Sequence, residues 1–212
     1  HRDLHSFPTR RSSDLYASNN QIECLCHGQA GYHATLYSNL SQKYHALQAD
    51  VESFFKGLYG FDPAALKKQV TTLDEHYDSF FTVNDSGVCP FCGINPIKGK
   101  HHSTRDAYDH YLPKDSYPFN SVNFYNLVPT CHDCNSSYKG TKSPVHDHEK
   151  QRRKAFYPFN TKPYAIELEV NLLKSDIERL EPNDIALSFG PDAIREEIET
   201  WKEVYAIEER YK

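Results

Sequence analysis

The sequence predicts an α+β protein with an N-terminal helical hairpin, a small zinc-bound core of two strands and one helix, and a C-terminal segment of strand and helix. Three observations predict this order. Apolar residues recur at helical spacing before residue 85, two C-x-x-C pairs lie within residues 89–134, and apolar and polar residues alternate after residue 160. The 212 residues are 38% hydrophobic and 25% charged, which is typical of a globular chain.

The chain divides into four parts. Residues 1–15 match the translation of a common sequencing-library adapter, so we exclude this artefact from the fold prediction. Residues 16–85 are the helical region, residues 86–142 the core, and residues 143–212 the C-terminal α+β extension. Because the first part is an artefact and the last part lacks a closing signal, we expect the chain to be a fragment truncated at both ends.

The helical region is predicted to hold two helices. The first, over residues 33–58, carries apolar side chains at helical spacing, and Gly60 closes the pattern. The second helix begins with Asp62 as its cap and Pro63 in its first turn, and it runs to Phe80. We interpret the aromatic residues of both helices as packing residues.

The core and the extension contain short predicted elements. Those of the core are a strand within residues 106–112, a strand over residues 127–130 and a helix over residues 132–140. Those of the extension are two half-buried strands over residues 165–170 and 184–189, and a helix from Pro191 to about Tyr205.

Four cysteines form two C-x-x-C pairs separated by 39 residues, Cys89 with Cys92 and Cys131 with Cys134. Four thiolates complete a tetrahedral zinc site and leave no ligand position open, so the predicted zinc is structural. A chance pattern or a redox dithiol is the alternative interpretation. This cysteine usage favours a reducing compartment, and we expect the cytoplasm. We interpret the unmatched Cys24 and Cys26 as buried or free thiols.

Charge is unevenly distributed along the chain. The net charge is −5, yet residues 95–160 hold 10 Lys and Arg against 6 Asp and Glu, whereas residues 161–212 hold 7 against 13. Positive charge therefore gathers around the cysteine pairs, as binding to phosphates requires. No apolar run is long enough to cross a bilayer, so we expect a soluble protein without a membrane partner.

Three polar elements stand between and after the cysteine pairs. They are the pair Asp109-His110, the residue Asn126, and Asn135 directly after the last cysteine. In this order they resemble the motif of the HNH endonuclease family. The resemblance covers residues 89–142, and the flanks are similar to those of HNH proteins found near bacterial antiphage genes.

The resemblance implies a ββα-metal core that hydrolyses phosphodiester bonds and leaves 5′-phosphate and 3′-hydroxyl ends. It makes His110 the general base, Asp109 and Asn135 the ligands of a catalytic Mg²⁺ or Mn²⁺, and Asn126 the residue that holds the loop before it. These roles suit the side chains, because imidazole accepts a proton near neutral pH and hard oxygen ligands suit Mg²⁺.

Two lysines, Lys114 and Lys139, stand where the resemblance places contacts to nucleic-acid phosphates. Lys139 follows Asn135 by four residues instead of the three frequent in the family. The loop of residues 115–125 also lacks the glycine pair frequent there and carries Tyr117 instead. We further expect the basic residues 150–154 to contact phosphates without reading sequence.

Other functions stay open at this point. A non-catalytic zinc ribbon that binds nucleic acid or protein is the main alternative to a nuclease. An RNA-directed nuclease is another, because the motif grips a phosphodiester and not a base. We expect double-stranded DNA as the substrate. The flanks also suggest antiphage defence beside an ATPase partner, with the acidic C-terminal segment as the docking face.

Overall fold

The computed structural model describes two helices in the N-terminal region, α1 (Asn19–Cys26) and α2 (Leu73–Val83). The predicted helix over residues 33–58 and the first part of the second helix lie largely outside the described residues. The part of the second helix that the structure describes, from Leu73 to Phe80, is confirmed as helical, but the predicted end at Phe80 is wrong, because the helix continues to Val83. The described residues are 19–29, 50, 53–54, 57–58, 73–99, 101–160, 162 and 164–212.

The core contains two strands followed by a helix, in the predicted order. Strand β1 (Tyr108–His110) pairs antiparallel with β2 (Leu127–Pro129), and Asp109 stands opposite Val128. Both strands are short and their six residues are mostly buried. The peptide N–H of Tyr111 donates to the carbonyl of Asn126 at 2.9 Å, which extends the pairing beyond β1.

The helix that follows β2 has π geometry and spans Asp133–Lys139. Its defining bond runs from the N–H of Gly140 to the carbonyl of Asn135 at 3.1 Å, five residues back. A π-turn holds one more residue than an α-turn, and Asn135 and Lys139, four residues apart, both lie in this helix. Gly140 ends the helix with a φ of 50°, a backbone conformation that favours glycine.

The C-terminal extension consists of a β-hairpin and two helices. Strand β3 (Glu167–Leu172) pairs antiparallel with β4 (Ile185–Gly190), and the chain continues into α3 (Arg195–Tyr205) and α4 (Ile207–Tyr211). Short 3-10 turns connect the elements of the core and the extension. They are Pro118–Asn120, Phe124–Asn126, Ile177–Arg179, Pro182–Asp184 and Asp192–Ile194.

The prediction of a half-buried first strand is wrong for β3, because all six of its residues are exposed. On its apolar face, solvent reaches 39% of the surface of Leu168, 55% of that of Val170 and 49% of that of Leu172. The alternation correctly marks a strand with one apolar face. Burial also needs a second layer, and among the described residues the layer that buries Phe189 of β4 leaves its β3 partner Leu168 more than a third exposed.

One hydrophobic cluster joins the core to both flanks. Ile22 and Leu25 of α1, Ile198 and Val204 of α3, and the four cysteines of the core all belong to it. The indole Nε1 of Trp201 donates to the carbonyl of Phe91, which ties α3 to the first cysteine pair. The fold is therefore α+β, with the cysteine-rich core packed between the flanks. Within the described ranges, no helix has the length and apolar character to cross a membrane.

Candidate functional site

The four predicted cysteines converge on one point. The sulfur atoms of Cys89, Cys92, Cys131 and Cys134 all lie within 4.8 Å of one another, and all four residues are buried. A tetrahedral zinc with Zn–S bonds of about 2.3 Å separates its sulfurs by about 3.8 Å, so a modest contraction completes the site. The cluster can bind a structural zinc ion, and within the described residues it is the one such group of metal-binding side chains.

Hydrogen-bond donors surround the sulfur atoms. The peptide N–H of Ile94 donates to Sγ of Cys92 at 3.5 Å, and that of Cys134 donates to Sγ of Cys131 at 3.5 Å. The tight turn after Cys92 requires Gly93, whose φ is 64°. Donors directed at sulfur stabilise thiolates, which are the form that binds zinc. The four cysteine ligands and the hydrogen-bond donors around them therefore both suit a zinc ion.

Proton sharing among the thiols separates their pKa values. Hydrogen bonds from Cys134 and Cys89 hold the pKa of the Cys92 thiol well below its usual range. The contacts with Cys89 and Cys92 raise the pKa of Cys134 far above it. A divalent cation bound by the four sulfurs would favour the thiolate form of all of them.

A separate cleft of about 240 Å³ brings the predicted catalytic residues together. Asp109 and His110 from β1, Lys114 from the loop after it, and Asn135 from the π-helix all line this cleft. A larger cavity of about 430 Å³ is lined mainly by aromatic and other apolar residues, and none of these four lines it. The cleft beside β1 is therefore the candidate site.

His110 is held by a backbone acceptor. Its Nε2 lies 2.9 Å from the carbonyl oxygen of Ser121. A carbonyl can only accept, so Nε2 carries the proton and the lone pair of the neutral ring is on Nδ1. Burial lowers the pKa of His110 to about 4, with Lys114 and Lys139 adding to the effect and the bond to Ser121 opposing it. The ring is therefore neutral at physiological pH.

Asp109 has one engaged and one unengaged oxygen. Its Oδ1 accepts from Nζ of Lys139 at 2.9 Å, whereas Oδ2 is buried and has no hydrogen-bond partner among the described residues. Burial raises the pKa of the carboxyl, and the Lys139 ammonium opposes that rise. An unpaired buried oxygen is costly unless a cation or donor meets it. Oδ2 therefore fits a metal ligand at the edge of the cleft.

Lys139 does not stand where a phosphate contact needs it. Its side chain is 1% exposed, and its Nζ also donates to the carbonyl of His110 at 2.7 Å. With both contacts, the ammonium fastens the π-helix to the Asp109-His110 pair. The side chain predicted to meet nucleic acid is instead buried and bonded to Asp109 and to the backbone of His110.

This buried ion pair leads to a stability prediction. Lys139→Met leaves the Asp109 carboxylate buried without its partner, so we expect the variant to lose about 3–5 kcal/mol of unfolding free energy. The combined variant with Asp109→Asn removes both charges and recovers part of that loss. Urea unfolding of zinc-loaded protein measures both, with the exposed Lys142→Met as a control. Losses that simply add in the double variant would contradict the pairing.

Asn126 spans the base of the loop between the strands. Its Oδ1 accepts from the N–H of Leu112 at 2.7 Å, and its Nδ2 donates to the carbonyls of Leu112 and Asn120, both at 3.0 Å. The side chain is fully buried, so all three bonds lie out of water. They hold together the two ends of the segment that presents Ser121 to His110.

The loop carries Tyr117 where the family's glycines were expected. The Tyr117 hydroxyl lies 2.6 Å from Nδ1 of His146 and 2.9 Å from Oγ of Ser143, so an aromatic side chain anchors the loop to the segment after the π-helix. Two of the basic residues expected to meet phosphates also have internal partners. Arg152 donates to the carbonyl of Leu25, and Arg153 pairs with Glu203.

Sequence reasoning missed three groups around the two sites. The Ser121 carbonyl is a backbone group and leaves no trace in residue type. Nδ2 of Asn95 lies 3.6 Å from Sγ of Cys131, and Arg210 contacts Cys134 from the far end of the chain. Asn95 lies close after the first cysteine pair, where a polar residue could have been singled out. The position of Arg210 carries no comparable signal.

Part of the chain is similar to a known phage protein. Over 66 residues the chain is 42% identical to the protein ea31 of Escherichia phage lambda, a match that covers 31% of this chain and 19% of that protein. The chain thus spans about a fifth of the length of this relative. No family model matches the chain, and no solved structure matches it.

Proposed function

We propose that the chain is a metal-dependent HNH endonuclease that hydrolyses phosphodiester bonds, with double-stranded DNA as its substrate. The observation that carries the proposal is the cleft in which Asp109, His110 and Asn135 meet, although they come from two separate elements. A histidine with a defined tautomer, a buried carboxylate and an amide beside it form a general base next to a set of oxygen ligands.

His110 would act as the base. Its Nδ1 accepts a proton from a water molecule, whose oxygen then bonds to phosphorus as the bond from phosphorus to the 3′ oxygen breaks. The leaving 3′ oxygen gains a proton from solvent, and the products are a 5′-phosphate and a 3′-hydroxyl. The bond from Nε2 to Ser121 keeps the ring aimed while its charge changes.

Oδ2 of Asp109 and the Asn135 amide would hold a Mg²⁺ or Mn²⁺ ion, whose positive charge stabilises negative charge on the scissile phosphate. Asp109 is oriented for this by Lys139, which occupies its other oxygen. Lys114 lines the cleft and is partly exposed, so its ammonium is placed to attract a phosphate.

A non-catalytic zinc ribbon is the second candidate. The observation in its favour is the Asp109–Lys139 pair, because a carboxylate paired with a buried ammonium can serve packing alone. The two candidates differ in one respect that can be measured. Both bind zinc at the four cysteines, but a zinc ribbon has no requirement for Mg²⁺ and leaves the DNA intact.

Cleavage of supercoiled plasmid tests the proposal. The zinc-loaded chain is incubated with and without Mg²⁺ and without any chelator, since a chelator would also strip the cysteines. We expect nicked circles to accumulate only with Mg²⁺, and their 3′ ends to be extended by a polymerase without phosphatase treatment. Binding without nicking under both conditions would favour the zinc ribbon. A parallel reaction with RNA decides between the two nucleic acids.

A biological setting in antiphage defence, beside an ATPase partner, extends this proposal. The acidic residues of 161–212 support it, because their charge suits a protein surface better than DNA. Tagged chain co-expressed with the products of its neighbouring genes should retain an ATPase at moderate salt. Recovery of the chain alone would leave the nuclease proposal standing and remove this extension.

A further inference from the structure

The last helix of the chain contacts the cysteine cluster directly. Nη1 of Arg210 donates to Sγ of Cys134 at 3.1 Å, and its guanidinium lies over the ring of Tyr138 at 4.6 Å from the centroid. The hydroxyl of Tyr211 donates to the carbonyl of Cys92 at 2.7 Å. Adjacent residues of α4 thus reach both cysteine pairs, although 76 residues separate Arg210 from Cys134.

The charge of the cluster explains why a guanidinium suits this position. Four thiolates around one zinc ion carry a net charge of about −2 in a mostly apolar core. Asn95 approaches Cys131 as a neutral donor, and the carboxylate of Asp133 next to it adds further negative charge. Within the described part of the chain, Arg210 is the cationic side chain that donates a hydrogen bond to a sulfur atom of the cluster. A charge-assisted bond to a ligand atom stabilises the thiolate form.

We propose that Arg210 belongs to the metal site, and that zinc loading and the docking of α4 on the core stabilise each other. The linkage is reciprocal, because any contact that favours the loaded cluster must itself be favoured by loading. Arg210 acts through Cys134 and touches no metal, so it is a positioning residue. The inference rests on the cysteine cluster and is independent of the proposed hydrolysis.

The chain carries its own reporter for this docking. Trp201 is the one tryptophan of the chain, and its ring lies edge-on to that of Tyr211, with centroids 6.3 Å apart. Its indole N–H donates to Phe91, inside the first cysteine pair. Movement of α4 away from the cluster changes the surroundings of this indole and therefore its fluorescence.

The test compares Arg210→Gln with wild type and with Arg179→Gln, which removes the same charge from an exposed 3-10 turn. Zinc affinity is measured by competition with a chromophoric chelator, and Trp201 emission is followed in the same titration. We expect Arg210→Gln to bind zinc ~10-fold more weakly. Arg210→Lys should lose less, because it keeps the charge, and Arg179→Gln should match wild type.

Equal zinc affinity in all four proteins would overturn the proposal. An equal loss in Arg179→Gln would also overturn it, because the effect would then come from net charge alone. If Arg210→Gln does not fold, wild type still decides the question through its emission. Trp201 emission that stays constant while all zinc is withdrawn would contradict the linkage. Emission that follows zinc occupancy, together with a lower zinc affinity in Arg210→Lys, would support it.

Discussion

Replacement of Cys131 and Cys134 by serine is expected to abolish zinc binding and to unfold the core. A structural zinc site contributes about 10–16 kcal/mol of apparent binding free energy, and total domain stability is about 5–15 kcal/mol. Removing two of four ligands therefore withdraws free energy comparable to the stability of a whole domain. The four cysteines are also part of the main hydrophobic cluster, so the loss reaches both flanks.

Zinc content by atomic emission and thermal unfolding by circular dichroism measure this effect. Cys24→Ser is the matched control, because Cys24 is a half-buried thiol outside the cluster. We expect the control to retain zinc and the wild-type melting temperature. A zinc-free double variant that unfolds cooperatively at the wild-type temperature would show that the cluster is a packing feature and not a metal site.

The same replacement would disturb the cleft, because the two sites share an element. Cys134 and Asn135 are adjacent in the π-helix, and Cys131 follows β2 closely. A zinc ion bound at the cysteines would therefore position Asn135 against the Asp109-His110 pair on β1. Any loss of cleavage in a cysteine variant follows from this geometry and gives no information about which residue performs the chemistry.

Much of the core could be predicted because its signals are local. The C-x-x-C spacing specifies two turns that each present two thiols, and the residue types specify their chemistry. The strands β1 and β2 and the helix from Asp133 fall within their predicted ranges. The local pattern placed Asp109 and His110 within the first strand, whereas their place at its end followed from the resemblance. That Asn135 shares their cleft followed from the family motif and not from spacing.

What the sequence could not predict depends on packing between distant segments. The burial of Lys139 depends on its pairing with Asp109, 30 residues earlier in the chain, which local residue preferences do not reveal. The acceptor of His110 is the backbone of Ser121, whose position depends on the path of a whole loop. The exposure of β3 depends on whether another layer covers it, and alternation cannot report that. Arg210 meets the cluster only because α3 and α4 fold back over the core.

His110→Ala should reduce the rate of plasmid nicking by about 10²–10⁴-fold, the usual contribution of a general base. This variant has no imidazole to take the proton from water, whereas the oxygen ligands of Asp109 and Asn135 remain in the cleft. The four cysteines are untouched, so zinc content should equal that of wild type. His101→Ala removes an exposed histidine from the loop before β1 and serves as the control.

The most direct test of the proposed function is the initial rate of nicking with saturating Mg²⁺ for wild type, His110→Ala and His101→Ala, all zinc-loaded and folded by circular dichroism. We expect wild type and His101→Ala to cut at similar rates and His110→Ala to lose nearly all activity. Equal rates in wild type and His110→Ala would contradict the assignment of this cleft as the catalytic site.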